Sequence, residues 1–321
     1  MRFGELPFGR AVISSERMKT HIYWISLAAV VVGVGATPAR LASDAVIDAA
    51  EKAPLDGFAK SGRWNDPRPP FTVTGNIHYV GTQSVSAWLI TSPKGHILID
   101  GILAQSVPQI AANVKALGYN MHDVKYLLNS HAHIDHAGGL AGLQRLSGAG
   151  MVASAADKPI LEAGEISFGP TKGIKFPPIR VDRVIRDGEA VKLGNITLSA
   201  MITPGHSPGC TSWRMTVPGK NGRPMNVFFH CSATVAGQSL LPEAYPGMIA
   251  AYRSTFARVG SVKADVFLAN HDNFFDLDTK RARQIAGNAA AFVDPGEIGR
   301  FNAGMEKAFN AELARQQAAA K

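Results

Sequence analysis

The sequence predicts an α/β fold in which two mixed β-sheets pack face to face, with helices on the outer faces. Three observations carry this expectation. Runs of β-branched and aromatic residues, separated by Gly, Pro and Asn turns, give way to helical spacing, and the succession occurs twice. The 321 residues and 46% hydrophobic content suffice for one large α/β domain. No sharp linker interrupts the chain after residue 70, so one main domain is expected over 71–293, with an extension over 37–70 before it and a helix over 294–321 packed on it.

The elements follow in order. Arg17 and Lys19 precede the apolar run Ile22 to Val34 and the small residues Gly35, Ala36 and Thr37, the pattern of an export signal over residues 1–36. Met18 is an alternative start, and cleavage is expected after Ala36 or Ala39. An uncleaved anchor is the weaker reading, because the run is short of the roughly 20 residues a span needs. Ala42 to about Lys60 is helix-like, and Trp64 to Pro70 is a linker. Strands are expected at Phe71–Val80, Val85–Thr91 and His96–Asp100, then a helix from Ile102 to Leu117 with Gly118 as its stop. The strand Val124–Asn129, a helix over Leu140–Leu146, the strand Met151–Ser154 and the helix Lys158–Ala163 complete the first half. The second half reads as strands Arg180–Val184, Ala190–Leu193 and Ile196–Ile202, the hairpin Thr211–Val217 with Met225–Phe229, and a helix over Met248–Val259. The strand Asp265–Ala269 and helices over Thr279–Phe292 and Glu297–Gln316 close the chain.

Composition excludes some functions. The net charge is +8, and the part beyond residue 36 retains +6. These charges are scattered, with no basic stripe interleaved with aromatics, so a nucleic-acid partner is not expected. No segment after the signal is apolar enough for a membrane span, so no stable membrane association is expected once the signal is removed. The two cysteines, Cys210 and Cys231, invite a disulfide in an exported chain, with two buried thiols as the alternative.

The chemistry concentrates in Ser130-His131-Ala132-His133-Ile134-Asp135-His136-Ala137-Gly138-Gly139, directly after the strand ending at Asn129. Open α/β sheets place ligand-binding loops at such strand ends. On extended backbone, positions i and i+2 face the same way, so His131 and His133 can close on one ion, while Asp135 and His136 reach a second. Imidazole nitrogens and a carboxylate oxygen suit zinc. His206 and His271 each follow an apolar strand and precede a turn. The resulting expectation is two zinc ions per chain, one held by His131, His133 and His206, the other by Asp135, His136 and His271. Three protein ligands with an open position is the catalytic pattern rather than the closed structural one. His21, His78, His96, His122 and His230 have no comparable context.

With Tyr79-Val80-Gly81-Thr82, Ile97-Leu98-Ile99-Asp100 and Thr203-Pro204-Gly205-His206-Ser207-Pro208-Gly209-Cys210-Thr211-Ser212-Trp213 added to the histidine loop, the chain resembles the metallo-β-lactamase superfamily over about Trp64 to Phe292. More narrowly it resembles the third subclass of class B (zinc) β-lactamases. The resemblance implies an αβ/βα sandwich and the two zinc sites assigned above. Many relatives carry a metal-bridging aspartate after the strand matching Met225–Phe229, and other zinc β-lactamases a cysteine ligand. Here the segment is His230-Cys231-Ser232-Ala233-Thr234, and Ser232 matches the serine of the third subclass. The resemblance further implies a Cys210–Cys231 disulfide, against the competing idea of Cys231 as a ligand, and Ser232 and Thr234 as contacts for the substrate carboxylate.

The expected activity is hydrolysis of the β-lactam amide of small-molecule antibiotics by hydroxide formed at zinc, in the periplasm, by a monomer. Asp135 is expected to orient the nucleophile as well as ligate. The alternative is a related dinuclear zinc hydrolase acting on a lactone, thioester or phosphoester, against which the missing bridging acid argues; a third reading is a zinc-binding module without catalysis. Loops over Ser167–Phe176 and Gln238–Gly247 are expected to wall the pocket.

Overall fold

A computed structural model describes residues 42–55, 59–60, 62–219 and 222–320. The expected export signal and its cleavage positions lie outside these residues. Helix α1 (Asp44–Lys52) precedes a first sheet of seven strands in sequential order: β1 (Phe71–Thr74), β2 (Ile77–Tyr79), β3 (Trp88–Ser92), β4 (Gly95–Ile99), β5 (Val124–Leu128), β6 (Gly150–Ser154) and β7 (Arg183–Ile185). Strands β1 to β4 are antiparallel, and β4 to β7 run parallel through helical crossovers. The crossovers are α2 (Val107–Ala116) and α3 (Leu140–Ser147), with α4 (Lys158–Ala163) after β6.

The second sheet has five strands: β8 (Ala190–Leu193), β9 (Ile196–Ile202), β10 (Thr211–Pro218), β11 (Pro224–His230) and β12 (Val266–Ala269). A helix α5 (Met248–Gly260) leads into β12, which pairs parallel to β11; α6 (Leu277–Ile285) and α7 (Glu297–Ala319) follow. Trp88, Ile90, Leu198, Trp213 and Phe229 fill the space between the sheets. Leu89, Leu98, Ile110, Leu127 and Leu140 fill a second layer between the first sheet and its helices. That is why all five residues of β3 are buried: the strand is covered on both faces, and Trp88, Leu89 and Ile90 fill the two layers. Helix α7 packs on α5 through Tyr252, Phe256, Phe309 and Leu313.

Two helices are shorter than the sequence suggests. The stretch expected to be helical to Lys60 leaves the helix at Lys52, because Ala53 precedes Pro54 and takes extended dihedrals, and it is helical again at Ala59 and Lys60. The helix expected over Thr279–Phe292 runs Leu277–Ile285, with Gly287 at φ +93° directly beyond it.

The ends of β4, β5, β9, β11 and β12 gather at one rim of the sandwich. The loops that follow them carry the candidate site.

Candidate metal centre

The structure brings all six expected ligands together in two adjacent triads. In the first, His131 Nε2 lies 3.0 Å from His133 Nδ1 and 3.1 Å from His206 Nε2, and the latter two are 3.1 Å apart. In the second, Asp135 Oδ2 lies 3.1 Å from His136 Nε2 and 3.3 Å from His271 Nε2, with 3.3 Å between the two nitrogens. The rings of His131 and His136 are 4.5 Å apart, so the triads share a wall.

Local structure explains the convergence. His131 and His133 follow the end of β5, and His133, on extended backbone, is the N-cap of a single helical turn, Ile134–Ala137, that carries Asp135 and His136. Gly139 has no side chain because a Cβ there would stand 2.1 Å from the carbonyl oxygen of Gly101. The ligand loop is thereby pressed against the end of β4. His271 is fixed by a bridge to Val85 and by Asp272, which accepts from the Ser84 amide and pairs with Arg68 at 2.8 Å.

The outward nitrogens decide what the inward ones can do. His206 Nδ1 sits 2.8 Å from the carbonyl oxygen of Thr234, and His271 Nδ1 sits 3.1 Å from that of Ser84. A carbonyl only accepts, so both Nδ1 atoms carry the proton and both Nε2 atoms present a lone pair. The hydroxyl of Ser130 donates to Asp100 Oδ2 at 2.8 Å and so accepts from His131 Nδ1 at 3.1 Å. Asp100 Oδ2 also lies 3.3 Å from His136 Nδ1. The first triad therefore turns the lone pairs of His131 and His206 toward each other, an arrangement that is repulsive unless a cation lies between them. A tetrahedral zinc with bonds of roughly 2.0–2.1 Å separates its ligand atoms by about 3.3 Å, so the donor set fits that ion. Outer partners of this kind fix ring orientation in metal sites generally.

Charge states agree with this reading in the first triad. Burial drives the His133 pKa down to about 4 and that of His206 to about 3, and holds His131 well below its ordinary value, so all three are neutral. In the second triad burial opposes charge, but the Asp135 and Asp100 carboxylates raise His136 to about 10, and the His136 charge holds Asp135 well below the usual carboxylate range. Without metal that pair keeps a proton between them. A metal ion must displace it.

Cys210 and Cys231 form a disulfide, with 5.8 Å between their α-carbons, which ties the loop after His206 to the end of β11. Cys231 Sγ lies 3.6 Å from His131 Nδ1, on the side away from the metal positions, so it is no ligand in this state. Ser232 is 2% exposed, its hydroxyl is 3.3 Å from that of Thr234, and the Thr234 hydroxyl is 3.2 Å from His206 Nδ1. The Thr234 hydroxyl thus faces the back of His206, and the Ser232 hydroxyl faces Thr234. The two expected wall loops meet at the site, where Phe168 packs on His133 and Tyr245 packs on Phe168, at ring distances of 5.3 and 5.7 Å.

Sequence reasoning overlooked Asp100 and Ser130 as site residues. Asp100 adopts φ +66° and also accepts from the Ser130 amide at 2.6 Å. An acid followed by glycine at the end of a strand beside the ligand strand was the available signal.

Residues 80–217 match the model of the metallo-β-lactamase superfamily. Among solved structures, the chain is similar to BJP-1, a subclass B3 metallo-β-lactamase of Bradyrhizobium japonicum, at 39% identity and TM-score 0.76, over 81% of this chain and 99% of that one. Among curated proteins it is 28% identical over 146 residues to a probable metallo-hydrolase of Burkholderia pseudomallei, across 42% of this chain and about half of that protein (49%). It is 27% identical over 229 residues to the N-acyl homoserine lactonase AttM of Agrobacterium fabrum, across 59% of this chain and 78% of the lactonase.

Proposed function

Since the chain belongs to the metallo-β-lactamase superfamily, with subclass B3 enzymes among its structural neighbours, we propose that it hydrolyses the β-lactam amide of antibiotics, using zinc at both triads, after export to the periplasm. It is a hydrolase by its fold neighbours, and members of the family bind zinc. The observation that carries the reading is the pair of adjacent triads of imidazole and carboxylate donors at one rim.

When bound, zinc supplies Lewis acidity and brings the pKa of water from 15.7 to around 7. The protein's own groups do the rest. The three neutral imidazoles His131, His133 and His206 would hold one ion, and Asp135, His136 and His271 the other. Asp135, whose Oδ2 lies with His136 and His271, would orient the attacking water as well as ligate. Hydrolysis adds the water oxygen to the lactam carbonyl carbon, breaks the C–N bond and delivers a proton to the departing nitrogen. Phe168 and Tyr245 offer an apolar wall to the substrate's bicyclic body, and Ser232 and Thr234 are the hydroxyls assigned to its carboxylate.

A second reading, a lactone or thioester hydrolase, is favoured by the likeness to AttM. The absence of an acid in 230–234 weighs against it. Turnover of nitrocefin, a penicillin and a carbapenem, each with and without chelator and beside lactone and thioester panels, separates the two. Chelator-sensitive hydrolysis of the lactams is expected; hydrolysis confined to lactones or thioesters would replace this reading with the second.

A further inference from the structure

The loop that carries His206 has little regular pairing of its own carbonyl groups. Side chains from one following segment hold them instead. Arg258 Nη1 donates to the Ile202 carbonyl at 2.7 Å, Thr255 Oγ1 to that of Pro204 at 2.6 Å, Tyr245 to that of Gly205 at 2.7 Å, and Gln238 Nε2 to that of His206 itself at 2.7 Å. Gln238 is 2% exposed, and its Oε1 has no hydrogen-bond partner among the described residues. Burying that oxygen unpaired costs free energy, so the side chain is held in place by something other than its own solvation.

The holder is the C-terminal helix. Gln316 Nε2, on α7, donates to the backbone carbonyl of Gln238 at 3.1 Å, while its Oε1 accepts from the amides of Leu240 and Leu241 at 2.7 and 3.2 Å. Both ends of this one amide therefore clamp residues 238–241, which gain little support from regular secondary structure of their own.

We propose that Gln238 is a positioning residue for the metal ligand His206, set in place by Gln316, so that the last turns of the C-terminal helix act on the three-histidine site. The ring of His206 is aimed at the triad by its Nδ1 contact to Thr234, and Gln238 fixes the backbone from which that ring projects. This rests on the metal reading above. Loss of the Gln238 donor lets His206 drift and weakens the first site, whereas among the described residues no hydrogen bond joins Asp135, His136 or His271 to the clamp.

The test is a competitive zinc titration of the full protein against a chromophoric chelator, with the visible spectrum of the cobalt-substituted protein as a second readout. Gln238→Met keeps length and removes the amide; Gln316→Met removes the clamp from the partly exposed helix, and it carries the test alone if the first variant does not fold. Leu313→Ala, in the same helix but outside the clamp, controls for general loss of stability. We expect each glutamine variant to weaken one of the two zinc sites about 10-fold, at the low end of what outer partners of metal ligands contribute. The double variant should be no weaker than Gln238→Met, and Leu313→Ala should leave both affinities unchanged. Zinc affinities within twofold of the parent in both glutamine variants would overturn the proposal, as would an equal loss in Leu313→Ala. A parent protein that takes up no zinc would fail the metal reading itself, and this inference with it.

Discussion

His230, the last residue of β11, offers a quantitative test of the packing just behind the site. Its ring is 2% exposed and is surrounded by Phe228, Phe267 and Phe301 at ring distances of 5.9, 6.1 and 5.4 Å. Neither ring nitrogen has a hydrogen-bond partner among the described residues, and burial pushes the pKa down to about 3. In the unfolded chain the same group titrates near 6.5. The folded value is depressed, so the stability tied to this residue is fully present above pH 6.5 and is lost as pH falls toward 3. At pH 5 the gap of about 1.5 pH units from the unfolded value amounts to about 2 kcal/mol. His230→Leu has a similar volume and no proton to take up. Urea unfolding of both proteins at pH 7.5 and pH 5 isolates the term, because every other titrating group, including the ligand histidines, is common to the two. The variant should gain about 2 kcal/mol on the parent between the two pH values. A difference that does not change with pH would mean that the buried imidazole is solvated or partnered, and would refute the reasoning.

Asp157 should behave with the opposite sign. Burial, with the nearby Asp100 charge, pushes its carboxyl up to about 7, so the stability tied to it is present below about pH 4 and lost as pH rises through 7. Asp157→Asn should therefore outgain the parent by on the order of 4 kcal/mol between pH 4 and pH 8 in the same unfolding assay; a flat difference contradicts this. Replacing both cysteines by serine opens a loop with a sequence separation of 21 residues, which should lower the unfolding free energy by about 3 kcal/mol; unchanged stability would contradict the covalent tie. Asp135→Asn keeps the shape of the second triad and removes its charge. It should weaken one zinc site by more than the about 100-fold that outer partners contribute, read by chelator competition, while circular dichroism stays unchanged; parental affinity would remove Asp135 from the ligand set.

The gathering of the six candidate ligands was legible in the sequence because their signal is local. Alternation along extended backbone pairs His131 with His133, and an apolar strand ending in a turn flags both His206 and His271. Strands bounded by strong punctuation were equally legible: β8 and β9, separated by Gly194-Asn195, occupy the expected residues exactly as spaced. What the sequence hid is non-local. Asp100 reaches Ser130 across 30 positions, and Gln316 reaches Gln238 across 78. Several of the partners that orient the rings are backbone carbonyls, at Thr234 and Ser84, and a carbonyl leaves no mark on residue identity. The helix ends at Lys52 and Ile285 were missed for a related reason. Apolar spacing continues past both, while Pro54 and Gly287 end the backbone pattern.

The most direct test of the account is a crystal structure of the zinc-loaded protein with anomalous scattering recorded at the zinc edge. The account expects two peaks, one bonded to His131 Nε2, His133 Nδ1 and His206 Nε2, the other to Asp135 Oδ2, His136 Nε2 and His271 Nε2. A single peak, or a zinc bonded to ligands drawn from both triads, would contradict it.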